Sequence, residues 1–193
     1  TPRKLLAQAS RNGYFFLLDR KTGKNLLTTT YVPTNWSMGI DANGSPIPNP
    51  AKQPQPDGAL INHSEDGGTD WMAPSFNPET GLFYVNAWRG YSFWYLALGP
   101  DNLPMDHQGG GSVSLVANSV LLALDYRTGK IRWQRESGNG LSSASILTTA
   151  GQVLFTADAL GNLLALDPSD GRMLWHTRPG GILDDVAPIT YQL

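Results

Sequence analysis

Few ionisable or nucleophilic side chains in this 193-residue sequence have the types and spacing that chemistry requires. Asp57, Glu65, Asp66 and Asp70 gather in one stretch, and carboxylates that close together could attract calcium. The ordered alternation of a calcium loop is missing, however, and the simpler reading is a solvated loop. His63, His107 and His176 are scattered, two in loop-like sequence and one just after a tryptophan, and no His-Glu-x-x-His spacing joins them. No Gly-x-Ser-x-Gly elbow surrounds Ser142 or Ser143, so neither reads as a nucleophile. The run HQGGGS from His107 to Ser112 lacks the Lys-Ser/Thr and the following helix of a phosphate loop. Spacing alone therefore assigns no catalytic and no metal-ligating residue. Cysteine is absent, which excludes disulfides, zinc–thiolate sites and covalently attached c-type haem within this segment.

Any site must then be built by the fold, and composition narrows that fold. Charged residues make up 16%, well under the usual quarter, while 21 glycines and 14 prolines favour a turn-rich β architecture. A net charge of −2 with no basic cluster gives no reason to expect nucleic acid or an anionic membrane surface as partner. No apolar run approaches the roughly 18 to 20 residues of a membrane span. The N-terminal TPRKLLAQASRNGYFF lacks a signal-peptide core and enters directly into strand-like sequence, as if the chain began inside a fold.

The strongest internal signal is a repeat. LLALDYRTGKIRW (Leu121 to Trp133) returns 42 residues later as LLALDPSDGRMLW (Leu163 to Trp175), with seven of thirteen positions identical. A weaker copy, YFFLLDRKTGKNLL, starts at Tyr14, with Asp19 and Gly23 in the matching places and Leu27 where the others have Trp. Each reads as a buried strand, a turn and a second strand. Asp19, Asp125 and Asp167 are expected to accept hydrogen bonds from turn N–H groups, and the glycines to supply positive φ. Ala165 is expected to leave room for Trp175, an indole docking between neighbours. A strand–turn unit of about 40 residues closing on Gly and Trp is the signature of a propeller blade. The prediction is an all-β fold: a partial β-propeller of about three to four four-stranded blades with Trp-docking repeats. The segments expected are a blade end at about 1–30, a long loop or insertion at 31–70, blades at 71–135 and 141–180, and the start of another at 181–193. LALGPDNLPMDHQGGGS (Leu96 to Ser112) reads as a second irregular stretch.

Several segments, in order, carry a more specific likeness. RNGYFFLLDRKTGK (Arg11 to Lys24), TNWSMGID (Thr34 to Asp41), GGTDWMAPSFNPETGLFYV (Gly67 to Val85), LTTAGQVLFTADALGNLLALDPSDGRMLWH and DDVAPITYQL resemble the pyrroloquinoline quinone (PQQ)-dependent alcohol dehydrogenases, eight-bladed quinoproteins. The resemblance implies PQQ with calcium or a lanthanide as cofactors of the complete enzyme, a periplasmic setting and a small alcohol as substrate. It implies that the metal ligands and the catalytic aspartate precede the counterpart of Arg11, so that this chain is the C-terminal portion of such a propeller. The partners implied are a missing N-terminal half or a second copy joined through exposed blade edges.

The resemblance also nominates a site. Arg11 matches a basic residue that hydrogen-bonds the quinone, and a guanidinium suits carboxylate and quinone oxygens. Asp70 stands where the family more often has Asn, and a carboxylate cannot donate unless protonated. Trp71 is a candidate pocket wall, although an indole buried between strands is the commoner fate of a propeller Trp. Ser143 occupies the place of a Trp that lies near the quinone in the family, and Ser10 the place of an Asp. The departures at Asp70 and Ser143 leave an alternative open: a cofactor-free propeller that binds proteins, like those of outer-membrane assembly lipoproteins.

Overall fold

The computed structural model describes residues 3–105, 109–181, 183 and 186–191. His107 and residues 182, 184, 185, 192 and 193 of the expected 181–193 segment lie outside them. Apart from one 3-10 turn at Pro50–Lys52, the regular structure is all β. The first blade contains β1 (Leu5–Ala9), β2 (Tyr14–Asp19) and β3 (Asn25–Thr30). The second is built from β7 (Ser75–Asn77), β8 (Leu82–Leu96), β9 (Gly110–Asp125) and β10 (Ile131–Asn139), and the third from β11 (Leu147–Thr148), β12 (Leu154–Ala157), β13 (Leu163–Leu166) and β14 (Met173–Thr177). All pairs within the blades are antiparallel.

Alternation along the middle blade explains why its strands read as continuous apolar runs. Val120, Leu122 and Leu124 turn toward Phe15 and Leu17 of the first blade. Leu121 and Ala123 turn the other way, toward Leu154, Leu164 and Leu166 of the third. A strand buried on both faces needs apolar side chains at every position, and period two assigns each to one neighbour.

The repeated phrase fixes its turns as its residues predict, and Trp133 makes the expected junction, whereas Trp175 is 51% exposed and docks on no neighbour among the described residues. Asp125 Oδ1 accepts from the N–H groups of Arg127 (2.9 Å) and Thr128 (3.2 Å). Asp19 does the same for Lys21 and Thr22, and Asp167 for Ser169. Trp133 pairs with Ala123 across the β9–β10 ladder, and Trp175 with Ala165 across β13–β14. The Trp133 indole spans to the third blade, where its Nε1 donates to the Pro168 carbonyl at 3.1 Å and its ring lies 5.7 Å from that of Tyr84. Gly171 faces this ring, and a Cβ there would come within 2.7 Å of it. At the junction of the first two blades, Leu27 takes the Trp position and lies with Thr29 over Gly129.

Two stretches are more ordered than composition suggests. The 31–70 segment holds a small hairpin of β4 (Ser37–Ile40) and β5 (Pro46–Pro48), plus β6 (Ala59–Asn62). Its turn is closed by Asp41 Oδ1, which accepts from the N–H groups of Asn43 and Ser45. The stretch expected to be irregular, Leu96 to Ser112, is likewise strand at its ends. Gly110 and Gly111 belong to β9, which runs alongside β8 to form a ribbon beyond the blade, and β6 pairs with the outer half of β8. A Cβ at Gly110 would overlap the Tyr95 backbone, so these glycines allow close pairing rather than a loop.

Candidate functional site

Arg11 sits in the tight turn joining β1 to β2, closed by a Gly13 N–H to Ser10 O bond of 3.0 Å with Gly13 at φ +88°. The turn is anchored from beneath. The Tyr31 hydroxyl donates to Ser10 O at 2.7 Å, and Trp36 Nε1 donates to Asn12 O at 3.1 Å. Tyr31 is buried, which pushes its phenol far above the ordinary range, so it stays a neutral donor.

The segment Ser64–Asp70 closes over this turn from the second blade. Gly68 N–H donates to the Arg11 carbonyl at 2.8 Å, while Gly68 O accepts from Trp88 N–H on β8 at 2.8 Å. Thr69 Oγ1 donates to Asn86 O at 2.8 Å, tying the same segment to β8 once more. Gly67, at φ +90°, lies so close to Arg11 that any Cβ would overlap its Cγ and carbonyl oxygen. A Cβ at Gly68 would meet Val32 and the Tyr31 hydroxyl. The pair of glycines is what allows the two blades' loops to approach.

The result brings two predicted residues together. Arg11 Nη1 lies 3.3 Å from Asp70 Oδ2, and Nη2 donates to Glu65 O at 3.1 Å. The Arg11 side chain is 55% exposed and Asp70 22%, so the pair contributes at most about 1 kcal/mol to stability. Trp71, next in sequence, is 67% exposed and presents its ring to solvent rather than filling a blade junction. On the other side of Arg11 a cavity of about 490 Å³ opens among Asn12, Trp36, Ile61, His63 and Trp94. Asp70 and Trp71 do not line it.

The remaining candidates fall elsewhere. Ala73 N–H donates to Ser145 Oγ at 3.0 Å, and Ala73 O accepts from Ile146 N–H, so the irregular stretch after Trp71 runs beside the segment that follows Ser143. Ser142 is buried and structural: its N–H donates to Ser119 Oγ and its hydroxyl to Ala157 O. His63 Nδ1 lies 3.1 Å from Ser64 O, while His176 is exposed on β14. Among the described residues, no three of His, Cys, Asp and Glu gather closely enough to hold a metal ion. Sequence reasoning missed the Gly67–Gly68 cradle, although adjacent glycines before a polar–aromatic pair are a readable sign of close backbone approach.

Residues 78–181 match a family model described as outer membrane protein assembly factor BamB. The 1-butanol dehydrogenase (cytochrome c) of Thauera butanivorans is 31% identical over all of this chain and 30% of its own length. The quinohemoprotein alcohol dehydrogenase of Comamonas testosteroni is 32% identical, again over 100% of the chain and 29% of the relative. Its crystal structure superposes with a TM-score of 0.82 at 29% identity, covering 95% of this chain and 29% of that one. The chain belongs to the quinoprotein alcohol dehydrogenase family of PQQ-repeat propellers. A europium-containing methanol dehydrogenase shares the fold, with a TM-score of 0.74 and 26% identity over 93% of this chain and 33% of its own. The chain thus spans about 30% of the length of the quinoproteins it matches. No helix among the described residues is long and apolar enough to cross a membrane.

Proposed function

We propose that this chain forms one side of the quinone pocket of a periplasmic PQQ-dependent alcohol dehydrogenase. The carrying observation is the Arg11–Asp70 pair held by the Gly67–Gly68 cradle, with the exposed Trp71 next in sequence. When bound, PQQ supplies the electron acceptor for alcohol oxidation, with calcium or a lanthanide as the polarising ion. Arg11 offers a fixed, permanently charged fork to carboxylate or quinone oxygens. Trp71 offers a flat apolar face to a planar ring system. Asp70, as a carboxylate, offsets part of the Arg11 charge, while the Glu65 carbonyl and the Gly67–Gly68 cradle keep the arginine in position.

No residue of this chain is assigned as metal ligand or base, so by itself it is expected to be inactive. With PQQ, Ca²⁺ and an alcohol, the purified chain should reduce no dye, while PQQ should still quench its tryptophan fluorescence. Arg11→Ala should weaken that quenching about tenfold, the loss expected for one charge-assisted contact. Equal affinity for wild type and Arg11→Ala would remove the basis of the proposal. The second reading, a cofactor-free protein-binding propeller, is favoured by the carboxylate at Asp70 and the small Ser143. It predicts no quenching in either protein.

A further inference from the structure

Glu65 holds Arg11 through its backbone carbonyl, and is itself held by hydroxyls of the β8–β9 ribbon. The Glu65 N–H donates to Ser92 Oγ at 3.0 Å, and its carboxylate accepts from the Ser112 hydroxyl. Ser92 Oγ in turn lies 3.3 Å from Ser114 Oγ. Ser92 pairs with Ser114 across the β8–β9 ladder, and Ser112 is two residues from Ser114, so period two puts all three hydroxyls on one face. Ser92 is fully buried, where a hydroxyl needs partners, and the Glu65 N–H and Ser114 are the partners it has. The blade itself does not call for them. β7 pairs with β8 only as far as Tyr84, and β10 with β9 only from Asn118, so the row of serines lies beyond the four-stranded part.

We propose that Ser92 and Ser112 are positioning residues for Arg11: the ribbon fixes Glu65, and the Glu65 carbonyl sets the direction of the guanidinium fork. Asp70 meets Nη1, so Nη2 takes its direction from Glu65. The inference rests on the reading of Arg11 as the contact to a carboxylated quinone, and gives the ribbon a purpose in that contact. A guanidinium already held in one direction loses less rotamer freedom when a planar carboxylate arrives.

The test is a titration of the full chain with PQQ, followed by tryptophan quenching. Ser92→Ala and Ser112→Ala change no charge, so a loss of affinity in them comes from geometry rather than long-range attraction. Each should weaken binding about three- to fivefold, the effect of one ordinary hydrogen bond, against about tenfold for Arg11→Ala. Ser112→Thr keeps the hydroxyl on a strand, which favours β-branching, and should bind as the wild type does. With Arg11→Ala already present, neither serine substitution should matter, because the residue they act through is gone. A ribbon that only supports the fold would instead lower affinity by the same factor in both backgrounds. That result, or serine variants as tight as wild type while Arg11→Ala is weakened, overturns the positioning role. So does a Ser112→Thr variant as weak as Ser112→Ala. Should Ser92→Ala lose the wild-type circular dichroism spectrum, the two variants of the half-buried Ser112 decide alone. A wild type that PQQ does not quench fails one step earlier: it overturns the reading of Arg11, and the role of the serines with it.

Discussion

At the residue scale, the position of Arg11 depends on what surrounds it. Its carbonyl accepts from Gly68, its guanidinium meets Glu65 O and Asp70, and Gly67 provides the room. Gly67→Ala combines a positive-φ penalty with an overlap against Arg11, and should cost about 2 kcal/mol in a denaturant melt. The turn aspartates give a pH dependence. Hydrogen bonds from the Lys21 and Thr22 N–H groups hold the Asp19 carboxyl below its ordinary 3.8, and the Ser169 hydroxyl and N–H do so for Asp167. A carboxyl lowered on folding adds stability above its unfolded pKa, and that stability is lost as pH falls through the folded value. Thermal midpoints should therefore drop as pH goes below about 4. Asp19→Asn and Asp167→Asn should flatten that drop, and an unchanged profile would contradict the assignment.

At the scale of elements, the blade junctions are the testable units. Trp133 is half-buried, so Trp133→Ala should cost about 2–3 kcal/mol, somewhat less than a fully buried Trp, and Trp133→Phe about 1 kcal/mol for the lost bond to Pro168. Urea melts of both variants would check this. The repeated phrase made these strands and turns legible because its key residues act locally: Asp caps, Gly turns, and Trp133 reaches one blade over. The β8–β9 ribbon was not legible, since Gly110 and Gly111 look like a loop until Tyr95 is seen against them. The β4–β5 hairpin was hidden likewise by Pro46 and Pro48, which an edge strand tolerates and composition counts as loop. The Arg11–Asp70 pair lies beyond any local pattern, because it joins loops of different blades.

At the scale of the whole molecule, the chain is an arc of three blades whose middle sheet is buried on both faces. The arc places Arg11, Asp70 and Trp71 at one junction, and the chain spans about 30% of the quinoproteins it matches. In the proposed function, Arg11 is the cationic anchor of a quinone site and Asp70 the carboxylate that partly neutralises it. PQQ is a tricarboxylate, so charge alone sets an order of affinities. Titration of PQQ into the wild type, Arg11→Ala and Asp70→Asn, followed by tryptophan quenching at low salt, tests it most directly. Binding should be tightest for Asp70→Asn, then wild type, with Arg11→Ala weakest. Three indistinguishable curves, or tightest binding by Arg11→Ala, would contradict it.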